Sequence, residues 1–256
     1  MSGILDAFKL DGKVAIVTGS ERGLGRGMAV ALAQAGADIV GVTYVASAPE
    51  TEAAVQAAGR KYVHVQADLS SIKPIERIVT TAFDAFGRID ILVNNAGIIA
   101  RNDSVDFTEK EWDDVMNVNL KSAFFLCQAV ARRFIAQGTG GKIVNVASML
   151  SFQGGVRVPS YTASKSGIKG ITMLMANEWA KHGICVNAVA PGYMATDNTT
   201  QLRADEKRNA EIVGRIPAGR WGAPEDLGGA VVFLASPASD YVNGYTIAVD
   251  GGWLAR

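Results

Sequence analysis

The sequence predicts an α/β protein: a single Rossmann-type, doubly wound domain with a parallel seven-stranded sheet and helices on both faces. Three observations predict it. Seven short apolar runs recur along the chain, and they lack the polar alternation of strands with one solvated face. The segments between them read as helix, so strands are joined by crossovers rather than hairpins. A glycine-rich turn links the first apolar run to the first helix, an arrangement that presents free N–H groups and a positive dipole end to a pyrophosphate.

The first strand is Lys13–Thr18, followed by the turn Thr18-Gly-Ser-Glu-Arg-Gly-Leu-Gly25 and a helix from Leu24 to Ala35 that Gly36 ends. The glycine spacing is G-x-x-x-G-x-G. The second strand, Asp38–Thr43, leads to Thr43-Tyr44, where an acid for the ribose hydroxyls of NAD is usual; the nearest is Glu50, beyond Pro49. Arg22 could reach a 2′-phosphate, which would favour NADP, or stand as a solvated loop charge. A helix over 50–58 precedes strand Lys61–Val65 and then Asp68-Leu69. There Asp68 either meets an adenine edge or caps a helix. A helix over 72–86 leads to strand Ile89–Val93 and the turn Asn94-Asn-Ala-Gly97. Thr108 to Glu111 reads as a capping box opening one long helix to Gln137, with Asn119 inside it. An asparagine is a mediocre helix former, so it either faces solvent or bonds something beside the site.

Strand Lys142–Ala147 ends in Ser148, and a helix over 159–181 carries Tyr161 and Lys165, four residues apart and so on one face. A phenol beside an ammonium makes a usable acid–base group, because a nearby positive charge favours phenolate; a hydroxyl from the strand end could orient a carbonyl oxygen. Strand Ile184–Ala190 runs into Pro191-Gly-Tyr-Met-Ala-Thr196. The polar stretch to Trp221 is a candidate lid, spanning about 191–222. Pro224 opens a helix to Ala235, and Tyr245–Val249 is the last strand. Thr18, Asn94, Ser148 and Pro191 all follow strand ends, so one rim of the sheet can gather them.

Composition narrows the function. The 25 basic and 25 acidic residues cancel, leaving no electrostatic case for nucleic acid or an anionic membrane. No apolar run reaches bilayer length, and the N-terminus is too short and polar for a secretory signal. Cys127 and Cys185 lie in apolar stretches and read as reduced core thiols, which suggests the cytoplasm. No metal site is read from the sequence.

Together, T-G-x-x-x-G-x-G (18–25), N-N-A-G (94–97), Ser148, Y-x-x-x-K (161–165) and P-G-x-x-x-T (191–196) resemble the short-chain dehydrogenase/reductase family along nearly the whole chain. The stretches 147–165, 175–182, 190–196 and 240–256 are most similar to members acting on sugar acids. The resemblance implies hydride transfer, with Tyr161 as general acid or base. Lys165 would lower the pKa of Tyr161 and hold the nicotinamide ribose, Ser148 would bond the substrate oxygen, and Asn119 would hold a water in a relay to Lys165. It implies cofactor contacts from Gly19, Glu21, Arg22, Gly23, Leu24 and Gly25 in the first turn, and from Thr43, Asp68 and Leu69 on the adenosine side. Asn95, Ala96, Gly97, Pro191, Gly192 and Thr196 would contribute beside the nicotinamide half. NAD(H) is favoured by the subfamily resemblance and NADP(H) is possible.

The implied substrate is a deoxy-keto sugar acid of pectin or alginate breakdown, whose carboxylate calls for an arginine. Arg157 is the first candidate, ahead of Arg101 and Arg203; Gln153, Tyr193 and Met194 are walls by position. A 3-oxoacyl thioester reductase is the alternative, and a non-catalytic dinucleotide-binding protein the remote one. Family members are usually homotetramers, and Trp253 and Leu254 at the chain end could seek a partner surface.

Overall fold

A computed structural model describes residues 3–256. Seven parallel strands form one sheet in the order β3-β2-β1-β4-β5-β6-β7. They are β1 (Val14–Thr18), β2 (Asp38–Thr43), β3 (Tyr62–Gln66), β4 (Ile91–Asn94), β5 (Gly141–Val146), β6 (Ile184–Pro191) and β7 (Thr246–Val249). The order reverses between β1 and β4, and the parallel register there pairs Ile16 with Leu92. A ligand crevice belongs at the carboxyl ends of these two strands.

Each face of the sheet is sealed by helices whose apolar residues match the strand residues beneath. On one side α1 (Gly23–Gln34), α2 (Pro49–Ala57) and α9 (Gly228–Ala235) bury Met28, Leu32, Val55, Val231 and Leu234 against Val17, Ile39 and Val93. On the other, α3 (Ile75–Phe86), α5 (Ser122–Gln137) and α6 (Pro159–Trp179) bury Ile78, Leu126, Phe134 and Met175 against Ile16, Val40 and Leu92. Alternate residues of each strand serve opposite layers, which is why β1 and β4 read as unbroken apolar runs. Gly41 in β2 has a packing reason: a Cβ there would lie 2.0 Å from the hydroxyl of Tyr62 on β3.

One element differs from expectation. The helix opened by the Thr108–Glu111 capping box is not continuous. It runs as α4 (Glu109–Met116), widens into a π-helical turn over Asn117–Lys121, and resumes as α5. The polar stretch between β6 and α9 holds two short helices, α7 (Thr200–Ala204) and α8 (Glu206–Arg215). Both cysteines are buried free thiols, as their apolar settings suggested, and burial pushes the Cys127 thiol up to about 12.

Candidate active site

The glycine turn is held open by the loop after β4. Thr18 Oγ1 accepts from the N–H groups of Asn95 (3.0 Å) and Ala96 (2.9 Å). Asn95 Nδ2 donates to Thr18 O (2.9 Å) and Gly19 O (3.1 Å). Asn95 therefore braces the turn with its side chain. Gly25 is compulsory, because a Cβ there would sit 1.9 Å from Gly19 O; Gly19 and Gly23 adopt φ of 64° and 53°. Thr196 approaches from the lid side, its methyl 3.6 Å from where a Gly23 Cβ would point. Gly192 cannot carry a side chain either, since its Cβ would meet Asp250 at 2.7 Å. Gly97 lies against Asn119, and Leu24 packs on the core.

These residues fit a dinucleotide. The N-terminus of α1 has no side-chain cap, so its N–H groups are free for a phosphate. Ser20 Oγ, Glu21 Oε2 and Arg26 Nε, in and just beyond the turn, are buried without hydrogen-bond partners. The adenosine side is less open than the sequence suggested. Thr43 is buried, its hydroxyl donating to Val45 O (2.7 Å) and lying 2.7 Å from His64 Nε2. Asp68 Oδ1 accepts from Ser70 N (2.8 Å), so it closes a turn rather than capping α3, and Leu69 packs on the core while its carbonyl accepts from Ser122 (2.7 Å). Arg22 is engaged too, Nη1 lying 3.3 Å from Asp197 Oδ2 in the lid.

Lys165 approaches both the end of β5, which Ser148 follows, and the Tyr161 ring. Lys165 is buried on α6 and its Nζ donates to Val146 O at the end of β5 (2.6 Å); it stands 5.6 Å from the centre of the Tyr161 ring. Ser148 Oγ accepts from Leu150 N (3.1 Å), and Ser151 ties this loop to α6 by donating to Lys165 O (2.6 Å). Burial is the largest influence and raises the Tyr161 pKa above its ordinary 10, while the Ser148 hydroxyl and the charge of Arg101 pull it back. Burial also brings Lys165 itself down, to about 8.

Asn119 is buried in the π-helical turn, and its side chain has a bracing part. Its Oδ1 accepts from Ile98 N (2.8 Å), and its Nδ2 donates to Ile98 O (2.9 Å) and Ser164 Oγ (3.2 Å). Both polar atoms of its side chain are committed, and none bonds Lys165. Ser164 Oγ in turn donates to Tyr161 O (2.8 Å), so Asn119 braces the β4 loop against the turn of α6 that carries the phenol. Underneath, Asn94 Nδ2 donates to Asn145 Oδ1 (3.0 Å), and Asn145 Nδ2 to Thr172 Oγ1 (2.9 Å). This buried chain ties β4, β5 and α6 together.

The proposed walls are mostly lid supports. Tyr193 packs edge-on between Trp221 (centroids 5.4 Å) and Trp253 (4.8 Å). Gln153 Oε1 accepts from Trp253 Nε1 (3.2 Å). Met194 is buried in the α1–α9 core layer with its sulfur against Gly222, so it is packing rather than wall. Arg157 sits on the loop before α6, paired through Nε with Asp103 Oδ1 at 2.9 Å. Trp253 does not seek a partner surface: only 4 % exposed, it lies among Met149, Ile212, Ile216 and Trp221 of its own chain. Sequence reasoning missed this lock and the Asn119–Ser164 brace. Motif spacing carries no signal for such contacts between distant segments.

Residues 18–254 match a family model described as enoyl-(acyl carrier protein) reductase. The 2-dehydro-3-deoxy-D-gluconate 5-dehydrogenase of Escherichia coli (strain K12) is 68% identical over 253 residues, 99% of this chain and 100% of that relative. Among solved structures, a gluconate 5-dehydrogenase from Burkholderia cenocepacia J2315 in complex with NADP and tartrate superposes with a TM-score of 0.94 at 39% identity, covering 99% of this chain and 100% of that one. A protein provisionally named 2-deoxy-D-gluconate 3-dehydrogenase from Agrobacterium tumefaciens, with bound NADP, gives 0.91 at 53% identity, covering 98% and 99%.

Proposed function

The chain belongs to the short-chain dehydrogenase/reductase family, and we propose that it is an NAD(P)-dependent oxidoreductase acting on a deoxy-keto sugar acid of the 2-dehydro-3-deoxy-D-gluconate type. The observation that carries the chemistry is the meeting of Ser148, Tyr161 and Lys165 at the carboxyl ends of β4 and β5. The nicotinamide, when bound, supplies or accepts the hydride. Tyr161, a phenol protonated at neutral pH, gives the ketone oxygen its proton in reduction and takes it back in oxidation. Ser148 orients that oxygen through a hydroxyl whose position is fixed by Leu150 N. Lys165 keeps its ammonium at the floor of the site, anchored on Val146 O. The substrate class rests on likeness to the Escherichia coli relative over its full length.

Cofactor preference follows from what faces the 2′ position. No carboxylate ends β2, so a phosphate meets no direct repulsion there. Arg22, the cation that would greet it, already faces Asp197. Accepting NADP(H) means exchanging only that exposed pair, a weak one, so we read NADP(H) as admitted, while the preference for NAD(H) rests on the subfamily resemblance alone. We read the enzyme as a cytoplasmic homotetramer on the strength of its reduced buried thiols and the exposed Met173 and Leu174 of α6. Among the described residues no helix is long and apolar enough to cross a membrane.

The test follows NADH and NADPH oxidation against a panel of keto sugar acids and of 3-oxoacyl thioesters, the alternative class. Turnover is expected with the keto sugar acids, and Tyr161→Phe is expected to lose about 10²- to 10⁴-fold in kcat. Turnover confined to the thioesters overturns the substrate, and an unimpaired Tyr161→Phe overturns the mechanism.

A further inference from the structure

We propose that Ser122 is a positioning residue for the base end of the cofactor: its buried hydroxyl fixes the loop after β3 so that Asp68 and Leu69 present an acceptor and a donor to adenine. This rests on the dinucleotide reading above. It gives the helical segment that braces the catalytic loop a second task at the opposite end of the same bound molecule.

Ser122 opens α5 directly after the π-helical turn, and its N–H closes that turn by donating to Asn117 O. It is only 2 % exposed. A serine in a helix ordinarily turns to solvent or donates to a carbonyl one turn back. Ser122 does neither. Its Oγ reaches across 53 residues of chain to Leu69 O (2.7 Å), with Ser71 O further off at 3.5 Å. The other side of the same peptide is held as well, because Asp68 Oδ1 accepts from Ser70 N (2.8 Å). Both polar groups of the Leu69–Ser70 peptide are therefore spent inside the protein, and the Leu69 side chain packs on the core. Asp68 Oδ2, on an exposed side chain, and the N–H of Leu69 remain; neither has a hydrogen-bond partner among the described residues. They are neighbours, one an acceptor and one a donor. Adenine offers the complement along its pairing edge, a donating 6-amino group beside an accepting N1.

The topology directs the base to this place. The pyrophosphate belongs at the uncapped start of α1, after β1. The nicotinamide half runs from there across β4 towards Tyr161 and Ser148, so the adenosine half runs the other way, over the ends of β2 and β3. Ala67 N donates to Thr43 O (2.7 Å), which seats the start of the Asp68 loop against the end of β2. Without the Ser122 hydroxyl the Leu69 peptide is free to turn, and the acceptor and donor lose their alignment. Asn119, one turn earlier, holds Ile98 on the nicotinamide side. One helical segment thus sets both ends of the dinucleotide site.

The experiment compares NADH, reduced nicotinamide hypoxanthine dinucleotide and reduced nicotinamide mononucleotide in wild type, Ser122→Ala, Ser122→Thr and Asp68→Asn. Each cofactor is titrated against tryptophan fluorescence without substrate, and then used as hydride donor to a keto sugar acid. Hypoxanthine carries a carbonyl in place of the amino group and a proton on N1, so its edge is reversed; the mononucleotide has no base to place. Wild type is expected to bind the adenine cofactor more tightly than the hypoxanthine one. Ser122→Ala is expected to raise Kd for NADH by about 5- to 20-fold and to lose most of that preference, with kcat and the mononucleotide Kd each within about twofold. Ser122→Thr keeps the hydroxyl and is expected to restore most of both. A residue that only supports the fold weakens all three cofactors alike. Asp68→Asn keeps an oxygen for Ser70 N but turns an NH2 outward, and is expected to shift the preference towards hypoxanthine. An unchanged base preference in Ser122→Ala, or an equal loss with the mononucleotide, overturns the proposal; if Asp68→Asn still shifts the preference, the adenine site stands without Ser122. An unchanged preference in Asp68→Asn removes the base from this loop, and the proposal with it. Failed turnover of every keto sugar acid overturns the substrate reading instead, and the binding titrations still decide the role of Ser122.

Discussion

At the scale of single residues, the site is governed by burial more than by mutual attraction of its charged groups. Lys165 and Tyr161 share a helix face, yet each has its neutral form favoured by the surrounding protein. For Lys165 this has a thermodynamic consequence. Its pKa falls from an ordinary 10.5 to about 8 in the folded chain. Between those values the unfolded chain holds the extra proton, so stability from this group rises with pH across that window. Below pH 8 the folded chain carries the buried ammonium at a cost of roughly 3 kcal/mol relative to the solvated ammonium of the unfolded chain. Lys165→Met removes this slope. Urea unfolding of both proteins at pH 7 and pH 9.5 is expected to show wild type gaining on the variant as pH rises. The bond lost to Val146 O is pH-independent, and the raised Tyr161 and Cys127 titrate in both proteins, so these terms cancel in the comparison. Parallel pH profiles would show that the ammonium is not desolvated.

At the scale of elements, the π-helical turn over Asn117–Lys121 explains how one asparagine serves three segments. A π turn bulges its backbone outward and re-aims a side chain without ending the helix. Asn119 is thereby brought to both the N–H and C=O of Ile98 and to Ser164. Asn119→Ala leaves those groups without partners and is expected to cost about 1–3 kcal/mol in urea unfolding, with a fall in kcat as the β4 loop and the Tyr161 turn lose their tie. Unchanged stability together with unchanged kcat would remove the brace. Such elements also mark the limit of what the sequence makes legible. Strand β2 is found at Asp38–Thr43 as expected, because its apolar run is bounded by Gly36 and by a polar turn. The Thr108–Glu111 box announces its helix start, with Glu111 accepting from Thr108 N at 2.9 Å. The π turn is invisible, because its one-residue phase shift falls in the short stretch 117–121, too brief to be told from ordinary variation in apolar spacing. The partners of the arginines are illegible for a related reason. Arg157 lies between Ser148 and Tyr161 in sequence, but the path of its loop turns it to Asp103, while Arg101 arrives from the far side of β4.

At the scale of the whole molecule, a sheet sealed on both faces supports a lid fastened from three directions. Arg22 reaches Asp197 from the glycine turn, Arg101 reaches Asn198 from the β4 loop, and the C-terminal tail wedges beneath α8. The third fastening is the apolar one. Trp253 packs on Ile212 and Ile216 of the lid and on Met149 of the catalytic loop, stacks under the Arg215 guanidinium at 3.9 Å, and donates to Gln153 across 100 residues of chain. Arg256 adds bonds to Gly214 O (3.1 Å) and Arg215 O (2.6 Å). The sheet's own core layers do not include Trp253. Removing Trp253 to Arg256 should therefore free the lid locally while the sheet stays folded. Limited proteolysis is expected to cut the truncated protein within 196–221 under conditions that spare wild type. KM for the sugar acid is expected to rise several-fold, with a smaller change in kcat because Ser148, Tyr161 and Lys165 keep their own supports. Trp253→Phe, which keeps an aromatic ring but not the N–H to Gln153, is expected to fall between the two. If the truncated chain resists cleavage there as wild type does, the two arginine contacts alone suffice to hold the lid. If instead it unfolds globally with the loss of sheet circular dichroism, the tail belongs to the core and not to the lid.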